Sequence, residues 1–391
     1  MHPAQSPAQP RTQSPDIAIL SPIGRSGGRT HGGITPYVTA LSAALCDAGT
    51  RVELVGFSPL DPRQSVAGID PRLTVFNLGL AGRRRHRRAL ADYLARRQPR
   101  ALLAAGHRAN LLAAAQAGGA TRIVLSVHNA LTPGLRGLDP LRRLLRRRAL
   151  RLRYPLADAI VCVSHGVAAD LQRLVPASAA RIAVIHNPIG SADAEPATSL
   201  HAWLASGSAS GLAYEQQPPV VLAAGRLSRQ KDFATLLRAF ARMPGSHGYR
   251  LIIIGEGEER DNLARLAQRL GIDGRVALPG FVPNPRAHMA AARLFVLSSA
   301  WEGFGNVLVE AMGTGTPVVA TDCDSGPREI LQDGALGPLV PVGDHEALAR
   351  AMAETLAAPV AAARLRERAA DFAPRTVAAR YLSILLPERQ P

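Results

Sequence analysis

The sequence predicts an α/β protein with two halves, each built on a parallel sheet of the Rossmann type. Short apolar runs such as ALLAAG and RIVLSVHN alternate with segments of helix length. These runs are apolar along their whole length, which is typical of strands buried on both faces of a sheet. The same alternation restarts at VVLAAGRL, after a polar stretch rich in small residues. A second sheet is therefore expected in the second half.

We predict five segments along the chain. Residues 1–15 are polar and proline-rich, which is typical of a disordered tail rather than a signal peptide. Residues 16–190 form the first Rossmann-like domain, residues 191–219 the linker and residues 220–370 the second domain. Residues 371–391 hold one further helix, which follows the second sheet.

Composition narrows the class of protein. The chain has 391 residues and a formal net charge of +16, and the excess of arginine lies in its first half. No apolar run is long enough to span a membrane. The three cysteines, Cys46, Cys162 and Cys323, are far apart, which favours reduced thiols over disulfides or a metal site. A cytoplasmic location is expected.

Each half carries a candidate phosphate site near its first strand. Gly32 and Gly33 directly precede the first helix, where backbone amides can meet a phosphate, although a glycine-rich turn is more often only a turn. Arg226 and Lys231 lie in the loop after VVLAAG, before a helix that Asp232 is expected to cap. Ligands of open α/β sheets bind beyond the carboxyl ends of strands, so these cations suit a diphosphate; ordinary surface cations are the alternative. Lys231 is the only lysine of the chain.

Two glutamates flank another glycine-rich loop. Glu302 follows the strand LFVL, and Glu310 lies one turn inside the next helix, for which Asn306 is the predicted N-cap. Between them, the sequence Gly303-Phe304-Gly305 has little side-chain bulk, so a ligand can approach the backbone closely. Amides at a helix N-terminus favour anionic or oxygen-rich ligands. Taken alone, two glutamates at this spacing are equally typical of a solvated helix.

In order and spacing, the segments EGFGNVLVEAM, TPVVAT and SGPREI resemble the E-x7-E region of the retaining GT-B glycosyltransferases of family 4. The GRL-x3-KD pattern that contains Lys231 strengthens the likeness, which covers nearly the whole chain from Asp16 onward. The resemblance implies two Rossmann-like domains facing a cleft, with the C-terminal helix crossing back to the N-terminal domain. It also implies transfer of a sugar from a nucleotide diphosphate donor.

The resemblance also implies roles for single residues. Glu302 would lie near the transferred sugar, and His128, in SVHN, would contact donor sugar and phosphate; a structural histidine is the alternative reading of His128. The other implied contacts are to the donor: Gly32 and Gly33 to its diphosphate, Arg226 and Lys231 to its phosphates, Val282 to its base, Gly303, Phe304, Gly305 and Asn306 to sugar hydroxyls or phosphate, and Glu310 to its ribose. Front-face and double-displacement mechanisms both stay open.

Three other patterns suggest metal or dinucleotide sites, and each has a simpler reading. Asp322-Cys323-Asp324 spells D-x-D, a glycosyltransferase metal motif, but a turn is the preferred reading after TPVVAT. Gly255-Glu256-Gly257 is only part of a dinucleotide fingerprint. His165 and His186 end strands as His128 does, without a ligand-spaced metal motif. No metal and no other cofactor is expected.

Two arginine-rich segments remain, RRRHRRALADYLARR at Arg83–Arg97 and LRRLLRRRALRLR at 141–153. We expect both segments to contact an anionic membrane surface or a lipid-linked phosphate acceptor. On a helix, the leucines of the second segment share one face, which suits this role. A solvated face and nucleic-acid binding are the alternatives, and no nucleic-acid motif accompanies the charge.

The sequence therefore predicts a glycosyltransferase that uses a nucleotide-diphosphate sugar, with UDP the favoured nucleotide. The acceptor is expected to be a glycolipid, a polyprenyl-linked glycan or a polysaccharide of a bacterial envelope, reached from the cytoplasmic face of the membrane. Two other hypotheses stay open. A nucleotide-sugar epimerase would act without an acceptor, and an NAD-dependent oxidoreductase would require a glycine fingerprint that the sequence lacks.

Overall fold

Short apolar runs of the first half form a seven-stranded parallel sheet. A computed structural model describes residues 14–22, 34–57, 70–79, 83–190, 200–204, 218–245, 248–282 and 284–387. The strands follow the order β3-β2-β1-β4-β5-β6-β7, so the chain first builds outward on one side of β1 and then on the other. The strands are β1 (Ile17–Leu20), β2 (Val52–Gly56), β3 (Thr74–Asn77), β4 (Ala101–Ala105), β5 (Arg122–Val127), β6 (Ala159–Cys162) and β7 (Ile182–Val184).

Helices connect these strands and lie against the sheet. β1, β2 and β4 are buried along their whole length, as expected for strands covered on both faces. The helices are α1 (Ile34–Asp47), α2 (Arg83–Arg97), α3 (His107–Ala113), α4 (Leu131–Arg136), α5 (Pro140–Arg153) and α6 (His165–Leu174).

The second half repeats this architecture with six parallel strands in the order β10-β9-β8-β11-β12-β13. The strands are β8 (Val220–Ala224), β9 (Arg250–Ile254), β10 (Val276–Gly280), β11 (Leu294–Leu297), β12 (Val318–Thr321) and β13 (Leu339–Val340). The helices are α7 (Phe233–Arg242), α8 (Arg260–Arg269), α9 (Pro285–Ala291), α10 (Asn306–Thr314), α11 (Pro327–Ile330), α12 (His345–Ala357) and α13 (Ala362–Ala370).

The last helix, α14 (Pro374–Leu385), belongs to the second half by sequence and to the first half by packing. Its buried residues Val377 and Tyr381 join the same apolar cluster as Ile17 of β1 and Leu41 of α1. The Arg122 Nε atom at the start of β5 donates to the carbonyl of Ile384, at 2.7 Å. The predicted fold class is therefore confirmed, including the crossing of the C-terminal helix.

The predicted segment boundaries stay predictions, because the tail and most of the linker lie outside the described residues. Among the described helices, none is long and apolar enough to cross a membrane.

All strand pairs in each sheet are parallel. The carboxyl ends of each set of strands therefore meet at one edge, and the two edges face each other across a cleft.

Candidate functional site

A cavity of about 450 Å³ lies in the cleft between the two sheets. The first half contributes residues that follow its strands or open its first helix: Ile34, His128, Asn129 and Asn187. The second half contributes the loops after β8 and β11 and the start of α10: Gly225, Arg226, Gln230, Lys231, Glu302, Gly303, Phe304, Gly305, Asn306 and Val307. The structure thus brings most of the predicted site residues to one cavity.

Lys231 and Glu302 form an ion pair in the wall of this cavity. The Lys231 Nζ atom contacts Glu302 Oε1, and the two side chains are only 16% and 7% exposed. The hydroxyl of Ser299 donates to the same carboxylate oxygen, at 2.6 Å. A buried carboxylate needs such partners because the loss of water is costly for a charge. The lone lysine of the chain is therefore held by the first glutamate of the E-x7-E pair.

Arg226, the other cation of the predicted pair in the loop after β8, is exposed, whereas Lys231 is largely buried. The side chain of Arg226 is exposed at the cavity, and among the described residues it makes no salt bridge. Asp232 caps α7 as predicted, since its carboxylate accepts from Thr235 N at 3.3 Å. The Lys231 side chain runs across Gly225, where an added Cβ would lie 3.0 Å from Lys231 Cε. Glycine at position 225 therefore leaves room for the lysine to reach Glu302.

The loop between Glu302 and α10 places backbone groups at the cavity. Gly305 has a φ of 102° and precedes the helix, so the predicted N-cap role of Asn306 is wrong. Asn306 is instead the first helical residue, and its side-chain oxygen accepts from Asn187 Nδ2 of the other half, at 2.8 Å. A cross-domain hydrogen bond has taken the place of the local cap. The side chain of Phe304 is buried and stacks on His186, at 5.0 Å between ring centroids.

Among the described glycines at the cleft, Gly303 leaves the least room for a side chain between the two halves. A Cβ added at Gly303 would lie 1.9 Å from the carbonyl oxygen of His128. The carbonyl of Gly303 accepts a hydrogen bond from Ser164 Oγ, at 2.7 Å. Any larger residue at position 303 would push the two walls of the cavity apart. This glycine therefore serves the contact between domains as well as access to the backbone.

His128 lies half-buried in the wall contributed by the first half. Its Nε2 atom lies 3.0 Å from Ser126 Oγ, and the edge of the ring meets Tyr37 with 4.3 Å between ring centroids. Burial lowers the pKa of His128 to about 4, and an interaction with the Asn187 side chain offsets only part of this effect. The imidazole is therefore neutral at physiological pH.

Glu329, in the SGPREI segment, also joins the two halves. It accepts from the backbone N–H groups of His165 and Gly166 at the start of α6, at 3.0 and 3.3 Å, and from His186 Nε2 at 3.0 Å. Burial alone would raise the pKa of Glu329, but these hydrogen bonds outweigh it and lower the pKa. His165 and His186 therefore serve the contact between the domains. Among the described residues, no cluster of His, Cys, Asp and Glu could hold a metal ion.

Two predicted donor contacts do not line the cavity. Glu310 faces a smaller neighbouring cavity of about 170 Å³, together with Arg286. Burial raises the pKa of Glu310, and the nearby charges of Arg286 and Lys231 lower it only in part. The partly buried side chain of Val282 packs against the core. Gly32 and Gly33 lie outside the described residues, although Ile34, the next residue in sequence, lines the cavity.

The competing motifs have structural explanations. Asp322 of the D-x-D pattern lies in the turn between β12 and α11 and pairs with Arg328. In the G-x-G pattern, a Cβ at Gly255 would lie 1.9 Å from the carbonyl oxygen of Gly225, and one at Gly257 would lie 2.2 Å from that of Leu227. Both glycines allow two loops to pack backbone against backbone. The turn reading of D-x-D agrees with the structure.

Sequence reasoning missed several residues around the cavity. Asn129, Asn187 and Gln230 line it, but we assigned a role to none of them, although Asn129 belongs to SVHN and Gln230 to GRL-x3-KD. Ser126, which begins SVHN, and Tyr37 support His128 from behind, and we assigned a role to neither. A search for polar residues at every strand end would have found Asn129 and Asn187. It could not have found Tyr37, which lies within α1.

Two family models match the chain, one in each half. Residues 31–192 match a model described as Glycosyltransferase Family 4, and residues 210–372 match one described as Glycosyl transferases group 1. Over nearly its full length, the chain resembles Anabaena Alr3699/HepE, solved in complex with UDP. That comparison has a TM-score of 0.75 and 22% identity, and covers 95% of this chain and 99% of the other.

Curated relatives are more similar in sequence but match over shorter segments. A lipopolysaccharide core biosynthesis glycosyltransferase of Rhizobium meliloti, LpsE, is 41% identical over 172 residues, which are 43% of this chain and 49% of the relative. A 4-alpha-N-acetylgalactosaminyltransferase of Campylobacter jejuni, whose name specifies a diphospho-undecaprenol substrate, is 32% identical over 232 residues, or 59% of each chain. The chain thus spans about half the length of the curated relatives that it matches.

Proposed function

Because the chain belongs to the group 1 glycosyltransferases of the GT-B fold, we propose that it is a retaining enzyme that uses a nucleotide-diphosphate sugar. The proposed donor is a UDP-linked hexose or N-acetylhexosamine. The proposed acceptor is a glycolipid, a polyprenyl-linked glycan or a polysaccharide in envelope glycan synthesis. UDP in the Anabaena complex and the names of the lipopolysaccharide and undecaprenol relatives support this choice.

The observation that carries the proposal is the distribution of charge in the cleft cavity. Arg226 and Lys231 follow one strand, and the start of α10 faces the same space. Two cations and a helix N-terminus together suit a diphosphate. Stabilising the charge that develops on a leaving diphosphate lowers the barrier to transfer. Arg226, which forms no salt bridge within the described part of the chain, and the Glu302-bound Lys231 would share this task.

The other wall suits an uncharged part of the donor. His128 is neutral, and Asn129 adds an amide group that can hydrogen-bond to sugar hydroxyls. Glu302 would lie near the transferred sugar and favour the positive charge that develops at its anomeric carbon. The Oε1 atom of Glu302 is occupied by Lys231 and Ser299, which favours this electrostatic role over attack by the carboxylate.

A thermal-shift panel tests the nucleotide and the class of enzyme together. The ligands are UDP, GDP, ADP and NAD, each with and without a divalent metal, because a ligand that binds only the folded state raises its apparent stability. We expect stabilisation by UDP without metal. GDP or ADP in place of UDP would change the donor, whereas stabilisation by NAD alone would contradict the proposal. Turnover of a UDP-sugar without any acceptor would indicate an epimerase.

We also propose that helix α5 contacts an anionic membrane surface, which brings a lipid-linked acceptor to the cleft. Its leucines Leu141, Leu144, Leu145 and Leu152 are 57–65% exposed. The helix sequence PLRRLLRRRALRLR contains no acidic residue, so this apolar face is framed by arginines. Apolar side chains beside cations suit the interface of an anionic bilayer. For helix α2 (Arg83–Arg97), the proposed membrane contact rests on charge alone, because its apolar residues Leu90 and Tyr93 are buried.

Vesicle sedimentation tests this contact. We expect the protein to bind vesicles that contain phosphatidylglycerol, to bind phosphatidylcholine vesicles weakly, and to dissociate as salt rises. Leu144→Glu with Leu145→Glu should abolish binding. Arg265→Glu on α8 is the matched control, because it lowers the net charge by the same amount and also places a glutamate on an exposed helix face, but lies in the other domain. Equal loss of binding in the control would contradict a specific role of α5.

A further inference from the structure

Three hydroxyl groups lie behind His128, on the side away from the cavity. Tyr37 of α1, Tyr381 of α14 and Ser126 of β5 are fully buried or nearly so. The Tyr37 hydroxyl donates to the Tyr381 oxygen, at 2.8 Å. Ser126 Oγ lies 3.3 Å from Tyr37 Oη, 3.5 Å from Tyr381 Oη and 3.0 Å from His128 Nε2. A connected path of polar atoms thus joins the C-terminal helix to the cavity wall.

Which group donates at each step of this path follows from the hydroxyl protons, because each hydroxyl has one proton to donate. A buried hydroxyl proton needs an acceptor, because leaving it unpaired is costly. The Tyr37 proton is used on Tyr381, so Ser126 Oγ is the acceptor within reach of the Tyr381 proton. The proton of Ser126 can then go to its nearest neighbour, His128 Nε2. A nitrogen that accepts a hydrogen bond is not itself protonated.

The opposite side of the ring is consistent with this assignment. Asn187 Nδ2 is committed to Asn306. Asn187 Oδ1 is buried and finds no hydrogen-bond partner of ordinary geometry in the described part of the chain. The Asn187 side chain nevertheless favours the protonated imidazole, as its effect on the pKa of His128 indicates. With Nε2 directed at Ser126, the nitrogen that can present a proton to this oxygen is Nδ1.

We propose that Ser126, Tyr381 and Tyr37 form a positioning relay that fixes His128 as the neutral Nδ1–H tautomer and holds its ring against the cavity. In this state Nε2 is engaged by Ser126 and the Nδ1 proton by Asn187, so neither ring nitrogen is free to act as a base, and the ring is held in place beside the ligand. The catalytic part of this inference rests on the proposed function. The C-terminal helix acquires a role in the site although Tyr381 does not line the cavity.

The tautomer can be measured without any substrate. Nitrogen-15 NMR of histidine in the full-length protein near pH 7 should show His128 with a proton on Nδ1 and none on Nε2. His128→Gln identifies the resonance by its disappearance. A proton on Nε2 would mean that the three hydroxyls satisfy one another in a closed ring, and would overturn the relay. This result is independent of whether the protein transfers a sugar.

Kinetics test the positioning role. Ser126→Ala should lower kcat about tenfold, the size expected for one buried hydrogen bond, and Tyr381→Phe should lower it less. If Ser126 acts only through His128, Ser126→Ala should have no further effect in a protein that already carries His128→Ala. Equal losses in both backgrounds would reduce Ser126 to a structural residue and contradict the proposal.

Tyr93→Phe is the matched control for a purely structural loss. Tyr93 is as buried as Tyr381, and its hydroxyl donates to Glu53 at 2.6 Å, with no contact to the relay. We expect this variant to lose stability while leaving both kcat and the His128 nitrogen signals unchanged. If the Tyr93 variant lowered kcat as much as Tyr381→Phe, the effect of Tyr381 would be general destabilisation and the relay would be wrong.

Discussion

Both walls of the cleft hold polar groups beside the cavity, but one wall uses charged groups and the other uses neutral groups. On the wall of the second half, Lys231 and Glu302 are ionised groups that neutralise each other. On the wall of the first half, His128 is uncharged and is supported by neutral hydroxyls. Burial raises the pKa of Tyr381 to about 12, so this hydroxyl keeps its proton at physiological pH.

This difference indicates a division of labour. Charge on a buried wall requires a compensating partner at all times, so the Lys231–Glu302 pair is costly to disturb. A neutral wall can close over a ligand and open again without separating charges. We therefore expect the second half to determine affinity for the donor diphosphate, and the first half to determine how well the closed state is formed. The predictions below separate these two contributions.

Loss of the lysine should have the largest effect. Lys231→Met removes a charged contact to the donor and leaves Glu302 buried without its partner. We expect UDP affinity to fall about 100-fold and the free energy of unfolding to fall by about 3–5 kcal/mol. Titration calorimetry and urea unfolding measure the two losses. Lys231→Met combined with Glu302→Gln should recover much of the stability but not the affinity; unchanged UDP affinity would remove Lys231 from the donor site.

The next largest effect should come from the contact between the walls. Gly303→Ala places a methyl group against the His128 carbonyl and should keep the cleft open, because backbone cannot yield as a side chain does. We expect kcat to fall at least tenfold, with a smaller change in UDP affinity, and small-angle scattering should show a larger radius of gyration. Gly313→Ala is the control, since its Cβ would meet only Ala369 Cβ at 3.7 Å. Normal turnover in Gly303→Ala would show that closure at this point is dispensable.

A smaller effect is expected from Glu329. Glu329→Gln keeps the shape of the side chain but weakens its hydrogen bonds to α6 and His186, each worth about 1–3 kcal/mol when charged. We expect kcat to fall about fivefold while UDP affinity is nearly unchanged, because Glu329 does not line the donor cavity. Glu367→Gln on α13 is the control, because Glu367 is outside both the cleft cavity and the Glu329 contacts. A loss of UDP affinity larger than the loss in kcat would contradict the assignment to domain contact.

The last prediction concerns pH and has no effect near neutrality. The folded-state pKa of His128 is about 4, below the ordinary value of 6.5, so the unfolded chain binds this proton first as pH falls. His128 therefore costs stability as pH drops from about 6.5 towards 4, and has no effect on stability above that window. Urea unfolding of His128→Gln should show a weaker loss between pH 6.5 and 4 than the unsubstituted protein. Equal losses would mean that the His128 ring titrates normally.

The same two walls show how much of the site can be predicted from the sequence. Strands, their order of appearance and the loops after β8 and β11 follow from local patterns, so Arg226, Lys231 and Glu302 were predicted to meet and do meet. The relay depends on Tyr381, which lies 344 positions from Tyr37. No periodicity or spacing reports a contact of that range, which only the completed packing of α14 creates.

The error in the predicted N-cap has the same origin. Asn306 has the residue type of an N-cap, and local chemistry favours that role. Its side chain instead bonds to Asn187, a partner supplied by the other domain, which overrides the local signal. Glu310 follows the expected spacing and lies at a second cavity beside Arg286, and its contact with the donor ribose stays a prediction.

The packing of α14 also affects how the protein is made. Domains generally fold as units during synthesis, the N-terminal one first. Here the apolar cluster that contains Ile17 and Leu41 is completed by Val377 and Tyr381. The core of the first domain is therefore completed only after the whole second domain and helix α14 have been translated. A nascent chain halted before Pro374 should expose the α1 surface to chaperones, and pulse proteolysis of stalled chains can detect it.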